Sequence, residues 1–274
     1  MSHKQRGQPV VGLIPAAGHA TRLAPLPFSK ELYPIGFRLS EDQHGLRPKV
    51  VAHYLLEKLQ AAGISKVFVV LRDGKWDIPA YFGSGSMGDV DLAYVMAKVP
   101  HGPPYTLDSA YAFVKDAVVA FGFPDIVFEG EFAFAELLQR QADTGADVVL
   151  GLFPAPRPEI VDMVGPDHDG RVHDLELRPA RTDLNLCWAI AVWSPAFTAF
   201  LHDYLQQRTV AASSPELSLG HVIRAAVRTG LRVDGVPVSD KPFHDIGTPE
   251  GLEDALRTWQ HRLPIPPDGV LPEN

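Results

Sequence analysis

Four short runs rich in Val, Ile and Phe, VVGLIPA (10–16), KVFVVL (66–71), DLAYVM (91–96) and VVAFGF (118–123), leave few architectures open to this chain. Helical patterns separate or follow them, VVAHYLLEKLQAAG (50–63), TLDSAYAFVKDA (106–117) and FAFAELLQRQADTG (132–145). Continuous apolar runs of this length read as strands buried on both faces, and an intervening helix returns the chain so that the next strand lies parallel. The predicted fold class is α/β, with a Rossmann-like, mostly parallel sheet flanked by helices. From residue 146 the pattern shifts to several strands, ADVVLGLF, RVHDLEL and CWAIAVW, before helices near 195–207 and 216–230. This predicts a strand-rich elaboration on the same sheet. One domain is expected over 1–262, with a division of roles near residue 150 and a Pro-rich tail over 263–274. The hydrophilic insertion RLSEDQHGL (38–46) reads as a surface loop.

A hydrophobic content of 46% can fill such a core. The 33 acidic and 25 basic side chains give a net charge of -8, which argues against a general affinity for nucleic acid or anionic membranes. Any site for a polyanion must therefore be local. A lone cysteine, Cys187, excludes an internal disulfide framework and a cysteine zinc cluster, and fits a reducing, cytoplasmic setting. The polar start MSHKQRGQ and the lack of any run near the roughly twenty apolar residues of a membrane helix lead us to expect neither export nor membrane anchoring.

A local anion site is what LIPAAGHATRLAPLPFSKELYPIG (13–36) offers. Ala16, Ala17, Gly18 and Ala20 have little or no side chain to hold phosphate oxygens away from backbone N–H groups. Arg22 can fork two oxygens, and Lys30 is a mobile point charge. Taken alone, the loop also fits a tight turn beside two solvated cations. It matches neither the Walker loop nor G-x-G-x-x-G.

Phosphoryl chemistry brings anions together, and a divalent cation held by carboxylates normally bridges them. Asp125 follows the buried run 118–123, at the strand end where open α/β sheets bind ligands, and Asp245 lies in PFHDIGTPEGL (242–252). Taken alone, Asp125 reads more readily as a turn former and Asp245 as a polar residue before a helix.

The stretch AAGHATRLAPLPFSKELYPIG resembles the signature of the sugar-1-phosphate nucleotidylyltransferases, the NDP-sugar pyrophosphorylases, in particular the glucose-1-phosphate thymidylyl- and uridylyltransferases. FGFPDIVF and HDIGTPEGL resemble two further segments of that family, so the likeness runs from residue 13 to residue 252. It implies transfer of a nucleotidyl group from a nucleoside triphosphate to a sugar 1-phosphate or sugar-like alcohol phosphate, with release of pyrophosphate. By the same resemblance Arg22 and Lys30 are catalytic, Asp125 and Asp245 bind Mg2+, and Pro15, Ala16, Ala17, Gly18, Ala20, Thr21 and Asp108 meet the nucleotide. The implied division gives nucleotide binding to residues 8–150 and sugar-phosphate binding to 151–262.

On the acceptor side the resemblance assigns Arg178, Glu176, Ala189 and Tyr105. Leu177 stands where the family carries a Glu, and neighbouring Glu176 is the expected substitute. Tyr105 and Ala189 stand where Gly is usual, so the departures gather on the sugar side and leave both acceptor and base open. The expected partners are these two small molecules, with no nucleic acid or membrane, and a homo-oligomer is compatible with the reading. DHDGRVHD (167–174) reads as a hairpin turn with a polar tip rather than a metal site, and Trp188 and Trp193 as core or pocket wall. A nucleotide-dependent kinase and a non-catalytic nucleotide sensor are the rival readings.

Overall fold

The computed structural model describes residues 8–39, 45–83, 86–87, 89–98, 101–209 and 216–259, so the tail over 263–274 and residues 40–44 of the insertion lie outside it. β1 (Val10–Pro15) opens the chain, buried from Val11 to Ile14. β2 (Pro34–Leu39) and β3 (Leu46–Val50) then pair as an antiparallel hairpin, which corrects the surface-loop reading of 38–46 at both ends. α1 (Val51–Ala61) leads to β4 (Lys66–Leu71), α2 (Asp77–Phe82), β5 (Ser86–Met87) and β6 (Val90–Met96).

The helix expected over 106–117 is two short ones, α3 (Pro103–Asp108) and α4 (Tyr111–Val114). Ser109 interrupts it, because its hydroxyl donates to the Tyr105 carbonyl and accepts from the Lys98 N–H. β7 (Val118–Gly122), β8 (Ile126–Val127) and α5 (Ala133–Thr144) follow; α5 ends at Gly145, whose left-handed φ of 64° suits glycine. The rest is β9 (Val148–Pro154), β10 (Asp162–Pro166), β11 (Val172–Leu177), β12 (Leu186–Trp193), α6 (Pro195–Gln206), α7 (Leu219–Arg228), β13 (Val233–Pro237), β14 (His244–Asp245) and α8 (Pro249–Trp259).

The strands β7, β1, β4 and β6 form a parallel core. β12 extends it antiparallel to β7 and then carries β9 along one edge and β10 along the other. The two halves of the chain therefore share one sheet. One apolar cluster covers each face: Leu55, Val67, Phe128, Phe134 and Phe153 on one, Leu13, Phe121, Trp193, Phe197 and Val222 on the other. Trp193 donates its indole N–H to Thr198 and Cys187 is buried, as expected of core residues. The Asp169-Gly170 tip closes β10 onto β11, with Gly170 at φ 79° and the Asp167 carboxylate accepting from the N–H groups of Asp169 and Arg171. Among the described residues no helix is long and apolar enough to cross a membrane.

A third, smaller cluster joins Ile35, Val51, Tyr54, Val127, Ile246, Ala255 and Trp259. It ties the β2–β3 hairpin, α1 and α8 to the two-stranded ribbon β8–β14. That ribbon carries the site.

Candidate active site

Beyond the C-terminal end of β1 lies a cleft of about 730 Å³. Pro15, Ala17, Gly18 and Arg22 line it, whereas Ala16 is buried in the core with its N–H donated to the Val70 carbonyl. A Cβ placed on Gly18 would meet no atom within 4 Å, so the space beside that backbone is open to a ligand. Ala20, at φ 53°, makes a turn whose carbonyl accepts from Leu23 and Ala24. Ala20 and exposed Thr21 fall outside the cleft lining, so their part is to shape the turn that presents Arg22.

Lys30 sits in a 3-10 turn and donates to Asp125 Oδ2, with both side chains largely buried. Burial works against the charge on Lys30, and the Asp125 carboxylate more than offsets it, so the ammonium titrates above its ordinary value. Asp125 in turn is held below the usual carboxylate range, burial being outweighed by Lys30.

Asp245 reaches Asp125 through main-chain pairing. It lies opposite Ile126 in the antiparallel ribbon, and the Ile246 N–H donates to the Asp125 carbonyl at 3.0 Å. Burial and the neighbouring Asp125 charge raise the Asp245 carboxyl above its ordinary range, although the Gly247 N–H donates to its Oδ1 at 2.7 Å. Two carboxylates held this close repel each other, and an added cation relieves that repulsion. Gly247 makes room for them: a Cβ there would lie 2.8 Å from Asp245 Oδ1, 3.1 Å from Arg22 and 3.4 Å from Asp125 Oδ2. Arg22 stands 3.7 Å from Asp245 Oδ2 with most of its side chain exposed, a loose pair that leaves the guanidinium available to an incoming anion.

The loop after β4 braces Lys30 from both sides. Asp77 accepts from the N–H and hydroxyl of Ser29 at 2.6 and 2.7 Å. Lys75 donates to both oxygens of Glu31 at 2.6 and 2.7 Å, and the side chains of this pair are only 4% and 2% exposed.

Arg178 and Ala189 line the end of the cleft formed by β10, β12 and the start of α7, and Arg178 holds a strained φ of 45°. Glu176 and Tyr105, expected on this side, and Asp108, expected at the nucleotide, lie outside the cleft lining. Glu176 is exposed on β11 and lies outside the lining, because alternation along the strand gives the cleft to Leu177 instead. Asp108 Oδ1 is hydrogen-bonded to His202 Nδ1 of α6 at 2.8 Å, away from the cleft. Tyr105 packs beside His101 and the second core cluster, and it is Thr106 of α3 that borders the cleft.

The profile of the family described as nucleotidyl transferase matches residues 11–262. The chain belongs to that family. Its members in general are metal-dependent, in keeping with a pair of carboxylates beside two cations. This nucleotidyltransferase is 25% identical to a glucose-1-phosphate thymidylyltransferase of Streptomyces antibioticus over 276 residues, 96% of this chain and 69% of that protein. It is 28% identical to a protein of the same name from Streptomyces griseus over 83% of this chain, and there it spans 60% of the relative's length. Among solved structures, one from Bacillus anthracis described as a glucose-1-phosphate thymidylyltransferase superposes with a TM-score of 0.77 at 17% identity, over 93% of this chain and 96% of that one. A UDP-glucose pyrophosphorylase from Acinetobacter baumanii gives 0.72 at 16% identity, over 91% and 92%. At those identities the two structures speak to the fold alone.

Several cleft residues of the nucleotidyltransferase carried no signal in its sequence. Asp162, Leu217 and His221 line the end of the cleft that holds Arg178, brought there by β10 and the start of α7, and Trp188, expected as core or pocket wall, lines it from β12. Gly102, at φ 91°, closes this end against Leu217, where a Cβ would come within 2.5 Å of the Leu217 carbonyl. Periodicity finds the strands that hold such residues. It does not tell which strand end will face which helix.

Proposed function

We propose that the protein transfers a nucleotidyl group from a nucleoside triphosphate to a sugar 1-phosphate, or to a phosphorylated sugar-like alcohol, and releases pyrophosphate. The observation that carries this reading is the convergence of Lys30, Asp125, Asp245 and Arg22 on one cleft beside the open backbone at Gly18. The names of the two Streptomyces relatives support the choice of a sugar phosphate as acceptor.

In the proposed reaction an oxygen of the acceptor phosphate attacks the α-phosphorus in line. A new P–O bond forms there as the bond to the β-phosphate oxygen breaks, and its electron pair leaves with pyrophosphate. The acceptor phosphate is ionised at neutral pH, so no side-chain nucleophile or general base is required. Arg22 and Lys30 stabilise negative charge that develops on the phosphates. Asp125 and Asp245 would hold Mg2+, whose chemistry when bound is to screen the phosphate charges and orient the triphosphate. Backbone at Ala17 and Gly18 gives the triphosphate close approach, and Arg178 offers a charge for the acceptor phosphate.

The test is pyrophosphate release with Mg2+ across ATP, GTP, CTP, UTP and dTTP, each with glucose, galactose and mannose 1-phosphates and with cyclitol phosphates. Release that needs one triphosphate and one acceptor together is the expected result. Release that is indifferent to the acceptor, or absent throughout, overturns the proposal.

A further inference from the structure

Two buried polar atoms in the acceptor end of the cleft have no hydrogen-bond partner within the protein: the acceptor Oδ1 of Asp162 and the donor Nε1 of Trp188. A buried polar atom left unpaired costs about 1–3 kcal/mol, so such atoms ordinarily find partners. The sheet puts these two on paired strands. Asp162 lies opposite Leu177 in the β10–β11 ladder, and Asp162 and Trp188 each stand one residue beyond the last pair of the antiparallel β10–β12 ladder, Met163 with Cys187. All three residues line the cleft. Leu177 contributes no carboxylate here and Glu176 lies outside the lining, so the acids at this end of the cleft are exposed Glu216 and the more buried Asp162.

The start of α7 is cut away to admit it. Gly220 is the second residue of that helix, and a Cβ there would fall 2.0 Å from Asp162 Oδ2 and 3.0 Å from Leu177. Burial pushes the Asp162 carboxyl upward, with Arg178 and His221 the nearby charges that oppose the shift. The carboxyl is thus neither neutralised by a direct ion pair nor hydrogen-bonded, although the fold makes room for it.

We infer that Asp162 and the Trp188 indole recognise the acceptor by taking one of its hydroxyl groups between them, the hydroxyl accepting from Trp188 Nε1 and donating to Asp162 Oδ1. A hydroxyl carries both a donor and acceptor lone pairs, which is what an orphan acceptor beside an orphan donor requires. An ammonium has no lone pair for the indole, and an ionised phosphate has no proton for the carboxylate. This inference rests on the acceptor reading proposed above, and makes Asp162 and Trp188 the residues that select a polyhydroxylated acceptor.

The experiment uses the full chain with whichever of glucose, galactose or mannose 1-phosphate supports turnover. Asp162→Ala is expected to raise the KM for that acceptor about 10- to 100-fold, the size of one charge-assisted hydrogen bond, with the KM for the triphosphate unchanged. Trp188→Phe keeps a ring but removes the donor, and should raise the same KM. Asp162→Ala should also raise the Tm, because an unpaired buried carboxylate has been removed. Among the 2-, 3-, 4- and 6-deoxy forms of the acceptor, wild type should discriminate against one that Asp162→Ala treats like the parent compound. An unchanged acceptor KM in Asp162→Ala, or a fall in Tm with both KM values rising together, overturns the inference while leaving the proposed reaction standing. Failure of wild type to turn over any hexose 1-phosphate removes the acceptor reading and the inference with it.

Discussion

Asp125 and Asp245 are neighbours in space but not equals. Lys30 pairs directly with Asp125, whereas Asp245 has the Gly247 N–H, a loosely placed Arg22 and the more distant Lys30 against burial and the repulsion of Asp125. Their Asn variants should part company accordingly. Asp245→Asn removes a repelled charge and is expected to raise the Tm while abolishing most turnover. Asp125→Asn strips a buried ammonium of its counter-charge and is expected to lower stability by about 3–5 kcal/mol along with turnover. Thermal melts of both variants beside their rates check this, and full activity in either removes that residue from the mechanism. These two acids, the small-residue loop and both cations were legible because each sits in a contiguous segment with its own spacing. Glu176 was misjudged as a substitute for Leu177 because adjacent strand residues face opposite ways. Asp108 and Tyr105 were misjudged because α3 starts at Pro103 and turns Thr106 to the cleft. Asp162 was not legible, since only the placement of β10 brings it to the cleft, and Trp188 was legible only as core or pocket wall.

Among the elements, the ribbon β8–β14 and the loop after β4 hold the charged groups in place. Gly247 lies where both carboxylates and Arg22 converge, so Gly247→Ala should cut turnover by at least tenfold while the fold persists. Measured kcat and circular dichroism of that variant decide the point, and an unaltered kcat would show that the carboxylates have slack. Lys75→Met leaves Glu31 buried beside Lys30 without its partner and should cost about 3–5 kcal/mol. Adding Glu31→Gln to it should recover most of that loss, because a buried pair replaced as a unit is often near neutral. Denaturant melts of the single and double variants test the coupling. The parallel strands β1, β4, β6 and β7 were legible from apolar runs that stop at Gly, Pro or charged residues. The β2–β3 hairpin was missed because its strands are half exposed and lie off the main sheet, and the split between α3 and α4 because one Ser hydroxyl outweighs a helical pattern.

For the whole molecule, acid sensitivity should come partly from a residue far from the chemistry. His53 is 2% exposed in α1, stacked edge-on to Tyr81 and Phe82, and burial together with Arg38 and Lys49 lowers its pKa from 6.5 to about 4. Between those values the unfolded chain binds a proton that the folded chain refuses, so stability falls as pH drops from about 6.5 toward 4. The full difference is worth about 3 kcal/mol. Melts of wild type against His53→Phe across that window should diverge, the variant losing less stability toward low pH; parallel curves would contradict the assignment. The cleft draws on both halves of the chain: β1 of the shared sheet brings the loop, the separate ribbon β8–β14 brings the carboxylates, and β10 to β12 bring the end that holds Arg178.

In the proposed reaction the α-phosphate travels to the acceptor. Supplying the preferred triphosphate labelled at the α-phosphorus, with the preferred sugar phosphate and Mg2+, and locating the label reads this out. The label is expected in a nucleoside diphosphate-sugar, in step with one unlabelled pyrophosphate. Label remaining in a free nucleoside diphosphate, with a phosphate transferred or released in its place, would contradict it.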